Sequence, residues 1–479
     1  VNEPTTGEGW PRERILAQLA ALQAHDLPAH GGRTLAYVYD SGLAEADAVG
    51  LEALAMFAAS NGLDPTAFPS LLTMENDLVG RAGRLLDAPD GFVGTVTSGG
   101  TESVLLAILA ARGSRPEVTA PSMVLPTTAH AAFHKAAHYF GVRRVLVDVD
   151  PVTYRADPDA MAHAIDETTV LLVASAPSYA HGVVDPVPQI AAAAAARGVR
   201  CHVDACIGGW VLPFLDDAPP WSFAVDGVTS ISVDLHKYAY TPKGASLLLH
   251  REPGLRRAQY FASADWPGYT MLNSTVQSTK SGGPLAAAWA VVHHIGDDGY
   301  RRLVREARDA TLALADAIDA MPALSVVARP DTTLLTVATD GTCDVFTLAD
   351  EMLARGWFVQ PQMTYRSMPP TLHVTLSAAT APSVPDFLVA LHDAVAAAQQ
   401  AGPVAVAPEL AAMTAALDPT TLDDTAFDTL LQVAGLAGAD GRLALPERMA
   451  PVNALLDVAP PAVREALLLA FLDRLSRPA

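Results

Sequence analysis

The chain has 479 residues, half of them apolar, and a formal net charge of −21 at neutral pH. That length is too great for one small core and predicts a large α/β domain with at least one smaller companion. The acidic balance argues against nucleic acid and anionic lipid as partners, Cys201, Cys206 and Cys343 lack the spacing of a disulfide framework or metal site, and the longest apolar runs, 190–196 and 467–472, are far too short to span a bilayer.

The start, 1–14, is polar and acidic without a basic-then-apolar signal pattern, so a cytoplasmic location is expected. Residues 1–90 read as an N-terminal helical arm, with Ile15, Leu19 and Leu22 at helical spacing and a second amphipathic run from Leu71 to Leu86. Over 91–285 short β-rich runs (91–97, 123–126, 144–149, 170–174, 201–203, 227–233 and 245–250) alternate with Ala-rich helical stretches, the pattern of a mostly parallel sheet covered by helices. A long connecting helix is expected over 286–321, beginning at Pro284, with a break near Gly296–Gly299. A smaller α/β domain follows at 322–400, with strands 332–338 and 371–376 and helices 345–355 and 384–400. Residues 401–479 read as a linker and a helical tail.

Of 31 basic side chains only four are lysines, Lys135, Lys237, Lys243 and Lys280. Arginine can neither form an imine nor change protonation near neutral pH, so a lysine kept against such a bias can be one needed as an amine; chance placement is the alternative.

Three stretches carry chemistry. Thr97-Ser98-Gly99-Gly100-Thr101-Glu102-Ser103 follows a strand and opens a helix, so its free N–H groups and the helix dipole face an anion. His202-Val203-Asp204-Ala205 ends a buried strand with a carboxylate that must be ion-paired, functional or a simple strand-end cap. Ser232 to Tyr238 runs from a strand into His236-Lys237, putting an amine at the carboxyl edge of the sheet, where open α/β sheets bind ligands. Burial beside cationic neighbours is expected to depress the pKa of Lys237 and make it nucleophilic. Read alone, Lys237 could still be a surface-loop lysine, and His130 is as readily a helix N-terminal histidine as a stacking group.

Taken together, Phe68-Pro69-Ser70, Thr97 to Ser103, Ala129-His130-Ala131-Ala132-Phe133 with Lys135-Ala136-Ala137, Ser175-Ala176-Pro177, His181 to Pro186, His202 to Gly209 and Ser232 to Ser246 resemble the group II decarboxylases dependent on pyridoxal 5′-phosphate (PLP). Within that superfamily the chain looks most like the sphingosine-1-phosphate lyases, over about 55–285. The resemblance implies a PLP-dependent transferase-like large domain (aspartate aminotransferase type, fold type I) with a mostly parallel sheet, plus a smaller C-terminal α/β domain. It implies that Lys237 forms the internal aldimine, Asp204 holds the pyridine nitrogen, His130 stacks on the ring, and Gly100, Thr101 and His236 lie at the phosphate. It also implies a homodimer with shared active sites, in which Ser278 to Gly282, including Ser281, reaches the partner's phosphate site; Lys280 stands where the family usually has arginine.

Such an apparatus can remove a carboxylate or cleave Cα–Cβ, depending on which substrate bond stands perpendicular to the ring. The expected reaction is aldehyde-releasing cleavage of a β-hydroxy amine or amino acid, with Tyr240 and Lys243 as acid/base candidates from their closeness to Lys237. The alternative is an amino-acid decarboxylase; an aminotransferase or a non-catalytic interaction protein fits less well. The lyases bind a substrate phosphate partly through Asn-Pro-Leu-His, which here reads Asn61-Gly62-Leu63-Asp64. Asn61 and Asp64 are therefore substrate-site candidates, and an aspartate at position 64 would disfavour a phosphorylated substrate. No metal is expected.

Overall fold

The structure, a computed structural model, describes residues 9–433, 436 and 446–477; the first eight residues of the expected arm, and 434–435, 437–445 and 478–479 of the expected tail, lie outside them. Helix α1 (Arg12–Gln23) forms where Ile15, Leu19 and Leu22 recur, but its apolar stripe stays exposed, Leu19 at 56%. Helices α2 (Ala44–Phe57) and α3 (Pro69–Leu85) follow, α3 opening on a proline that needs no N–H partner in the first turn. The arm is not wholly helical. Between α1 and α2 the chain runs extended: Leu35 N–H donates to the Phe358 carbonyl at 2.9 Å, and the Leu35 carbonyl accepts from Thr375 N–H at 2.8 Å. The five residues from Leu35 to Tyr39 are too short to show a period.

The large domain contains β1 (Val93–Thr97), α4 (Gly100–Gly113), β2 (Ser122–Pro126), α5 (Ala131–Phe140), β3 (Arg143–Val147), α6 (Pro158–His163), β4 (Thr169–Ser175), α7 (Val187–Ala196), β5 (Arg200–Asp204), β6 (Val228–Asp234) and β7 (Ser246–His250). The sheet order is β1-β7-β6-β5-β4-β2-β3, parallel except that β7 runs against both neighbours. All seven residues of β4 are buried, which explains an apolar run without alternation. The register aligns Ser175 with Asp204 and Asp204 with Ser232, and Asp234 with Ser246, which in turn pairs with Thr97. One edge of the sheet therefore gathers the strand-end polar residues.

After α8 (Pro253–Arg256) comes a hairpin of β8 (Phe261–Ser263) and β9 (Met271–Asn273), too short to read from sequence. Helix α9 (Gly283–Asp319) breaks at Gly296, where φ is +66°, within the expected interruption. The smaller domain has β10 (Leu324–Val326), β11 (Leu334–Thr339), α10 (Val345–Ala354), β12 (Gln360–Gln362), β13 (Thr371–Thr375) and α11 (Val384–Ala401), its sheet antiparallel throughout in the order β10-β11-β13-β12. Its core also takes in Leu35 and, from α14, Ala450 and Ala454, so it draws on chain far outside 322–400. The C-terminal unit comprises α12 (Pro408–Ala415), α13 (Asp424–Val433), α14 (Ala450–Val458) and α15 (Pro461–Leu475). Asp350 on α10 accepts from the N–H groups of Met449 and Ala450 at 3.0 and 2.8 Å, seating a carboxylate at the positive end of α14. Among the described residues, no helix is long and apolar enough to cross a membrane.

Candidate active site

A cavity of about 430 Å³ opens at the carboxyl edge of β4, β5 and β6 and brings Gly100, Thr101, His130, Asp204, His236 and Lys237 together. The turn after β1 is held by Glu102, whose carboxylate accepts from Ser98 N–H at 2.6 Å and Val276 N–H at 2.9 Å. A side chain at Gly100 would put its Cβ 2.7 Å from Cys206 Sγ and 2.8 Å from both Asp234 oxygens. Glycine is thus required for α4 to begin against the end of β6.

Lys237 Nζ lies 2.9 Å from Asp234 Oδ2, and Asp234 also accepts from Ser246 Oγ at 2.5 Å. Burial works to lower the amine's pKa, but Asp234 overrides it, with Tyr39 and Cys206 adding, and holds Lys237 well above its usual value. The expected depressed pKa is therefore corrected: the nearest charge is the carboxylate three residues back, not a neighbouring cation. Burial likewise opposes ionisation of Asp234, yet Lys237 and His236 keep its pKa low.

Asp204 Oδ1 accepts from Cys206 N–H at 3.1 Å and from Ser232 Oγ at 3.4 Å. Behind it His202, fully buried, contacts Ser232 Oγ at 3.2 Å and Ser230 Oγ at 2.9 Å, and burial pulls its pKa down to about 4. His130 caps α5 through Nδ1, which accepts from Ala132 N–H at 3.2 Å; that bond leaves the neutral ring's proton on Nε2. It also lines the cavity, so its capping bond does not take it away from the candidate site. Burial lowers the pKa of His130, against a smaller opposing effect of Asp204. Tyr179, missed by sequence reasoning, meets the His130 ring edge-on at 6.2 Å and stacks on His373 at 4.1 Å.

Other expected residues fall elsewhere. Tyr240 is corrected as an acid/base candidate: its φ of +55° turns it away, its hydroxyl accepts from Ala378 N–H at 3.3 Å in the interior, and it does not line the cavity. Lys243 is exposed as a whole, but its ammonium end donates to the carbonyls of Tyr37 and His236 at 3.1 and 3.2 Å and lies over the Tyr39 ring. Loss of water there, with Lys237 nearby, lowers its pKa to about 8. Asp64 caps a turn, accepting from Thr66 N–H and Oγ at 2.8 and 2.6 Å, which lowers its pKa. It lines a neighbouring 240 Å³ pocket with Lys280 and Ser281, and this pocket shares Ser98 and Glu102 with the first cavity. Asn61 accepts from Leu63 N–H and bridges to Ser281, whose hydroxyl donates to the Ala58 carbonyl. Within one chain neither Asn61, Asp64 nor Ser281 lines the main cavity.

The donor set fits PLP: an amine, a strand-end carboxylate, an aromatic face and the N-terminus of α4 converge on one space, and His236 Nδ1 is buried there without a partner among the described residues. Comparisons agree. The pyridoxal-dependent decarboxylase conserved domain matches residues 37–338, and the C-terminal HTH domain of pyridoxal-dependent enzymes matches 408–474. The sphingosine-1-phosphate lyase of Dictyostelium discoideum is 37% identical over 68% of this chain and 62% of its own length, so the chain spans less than two thirds of that relative. A probable L-tyrosine/L-aspartate decarboxylase of Methanocorpusculum labreanum is 32% identical over 74% of this chain and 90% of its own. The solved sphingosine-1-phosphate lyase of Burkholderia pseudomallei superposes with a TM-score of 0.78 at 34% identity, covering 84% of this chain and 94% of that one.

Proposed function

We infer the reaction from the premise that this chain belongs to the pyridoxal-dependent decarboxylase family and is an enzyme whose cofactor is PLP. The reading best supported is carbon–carbon cleavage of a β-hydroxy amine or amino acid, releasing an aldehyde. One observation carries it: Lys237, Asp204 and His130 share one cavity in a chain that covers 94% of a solved sphingosine-1-phosphate lyase at 34% identity. When bound, the cofactor supplies an electron sink for the bond broken at Cα.

In this reading Lys237 Nζ holds the cofactor and moves the proton at Cα, with Asp234 as its counter-ion. Asp204 keeps the pyridine nitrogen protonated, and the Ser232–His202 chain behind it orients the carboxylate. With the cofactor bound, His130 would cover the ring, and the N–H groups of Gly100 and Thr101, with His236, would hold the phosphate. Lys243, its pKa lowered to about 8, is kept as the candidate to take the β-hydroxyl proton, although like Tyr240 it does not line the cavity and its ammonium is held by the carbonyls of Tyr37 and His236. A homodimer belongs to the same reading, because Ser281 and Lys280 do not line their own chain's main cavity and the stripe on α1 is uncovered. Asp64 on the neighbouring pocket favours an unphosphorylated substrate.

The M. labreanum relative, matched over 90% of its length, favours a second reading as an amino-acid decarboxylase. Incubation of the holoenzyme with a panel of amines and amino acids, assayed for CO₂ and for aldehyde, separates the two. Aldehyde derived from substrate Cβ supports the lyase; CO₂ without aldehyde overturns it.

A further inference from the structure

We propose that the C-terminal helical unit selects substrate: through Asp457 it fixes 363–369 as the wall of an outer chamber that takes an uncharged tail on the amine. The proposal rests on the reading above for the reacting end of that substrate.

The chamber, about 590 Å³, shares His130 and Tyr179 with the cofactor cavity. Met363, Met368 and Pro369 form one wall, and Val326 and Val327 line it as well. Among the described residues lining it there is no Asp, Glu, Lys or Arg. Its His181 is held neutral, burial pulling the ring to about 4. A carboxylate or phosphate entering this space would lose water without finding a counter-charge, whereas an uncharged tail would not.

The wall does not hold itself. Tyr365 and Met368 close a tight turn by reciprocal backbone bonds of 3.1 and 2.9 Å, and Arg366 within it has φ of +54°, a region non-glycine residues seldom adopt. One anchor comes from the large domain, where Asp148 pairs with Arg366. The other comes from α14: Asp457 Oδ1 accepts from Thr364 N–H at 2.6 Å, and Oδ2 accepts from Thr364 Oγ at 2.8 Å. Arg464 of α15 donates to the Asp457 carbonyl at 2.8 Å, and Asp350 seats the other end of α14. Residues 408–479 carry ten acidic side chains against five basic ones, a balance opposite to the basic excess of a nucleic-acid reader. Its packing directs it at the enzyme instead.

The test uses holoenzyme and two unphosphorylated β-hydroxy amines differing only in tail length, with aldehyde and CO₂ both measured. Asp457→Ala should lower the long-to-short ratio of kcat/KM about tenfold, through KM, the scale on which apolar pocket contacts discriminate. Asp457→Asn, which keeps an acceptor, should restore most of it. Ala338→Trp, filling the chamber from β11, should lower the same ratio even if the Asp457 variants fail to fold. An equal fall for both amines, or unchanged ratios in Ala338→Trp, overturns the proposal. CO₂ without aldehyde would overturn the lyase reading and leave the ratios to decide the chamber. Should neither amine turn over, hydrogen exchange decides: a long-tailed amine lacking the hydroxyl should protect 363–369 in the unmutated protein and less in Asp457→Ala, and absence of protection overturns the proposal.

Discussion

Asp234→Asn should separate the charge on Lys237 from its position. The two groups are 2.9 Å apart, with Asp234 only 3% exposed. At an effective dielectric of about 20 their attraction is ~6 kcal/mol, and removing one partner of a buried pair has a net cost of about 3–5 kcal/mol if the other stays charged. At about 1.4 kcal/mol per pKa unit, the cheaper escape is for Lys237 to lose its proton, its pKa falling by two units or more. The assay is the rate at which the apoprotein attaches PLP covalently, followed by absorbance across pH. In the unmutated protein the rate should climb steeply with pH, because the ammonium must first give up its proton. In Asp234→Asn the climb should shift at least about two pH units lower. Coincident profiles would refute the claim that Asp234 sets the charge on Lys237.

Three further outcomes are expected. Asp204→Asn should retain PLP, measured by cofactor content, yet lose ~10²-fold or more in turnover, since an amide cannot hold the ring nitrogen protonated; unchanged turnover would remove that role. If Lys243 acts as a base, activity should rise through about pH 8, where its amine becomes neutral; Lys243→Arg should abolish that limb, because guanidinium keeps its proton, and a surviving limb would point to another group. His202, His250 and His373 are buried with pKa values of about 4, 3 and 3, below that of an unfolded histidine, so between pH 6.5 and those values the unfolded chain binds more protons. Their stabilisation is complete above 6.5 and is lost on acidification, at up to ~1.4 kcal/mol per pH unit for each ring; urea unfolding that is no easier at pH 5 than at pH 7 would contradict it.

Much of this was legible in the sequence. The seven strands of the large sheet could be read because apolar, β-branched runs sit between turn residues, and Lys237, Asp204, His130 and Gly100 because each closes or follows such a run. Asp234 stood in a stretch already singled out, but a strand gives no sign of which side chains meet beyond its end. Tyr240 shows how closeness in sequence misleads, since one residue with positive φ sends the side chain into the interior. The Tyr179–His373 stack joins two domains, and no local pattern links positions so far apart. Strands of three residues, as in β8, β9, β10 and β12, leave no period to detect.

The smaller core closes over Leu35 near one end of the chain and Ala454 near the other. A ribosome delivers these residues in order, so Leu35 emerges long before the helix that adds the last residues to the same core. The large sheet can assemble while synthesis continues, but the second core must wait until α14 has been made. Until Phe358 and Thr375 emerge, the extended segment around Leu35 is an unsatisfied strand edge, and until α14 follows, the apolar core beside it stays open, the kind of surface that chaperones shield. Truncations that remove α14 should thus reduce yield through aggregation of late intermediates, even though every residue lining the cofactor cavity has already been made.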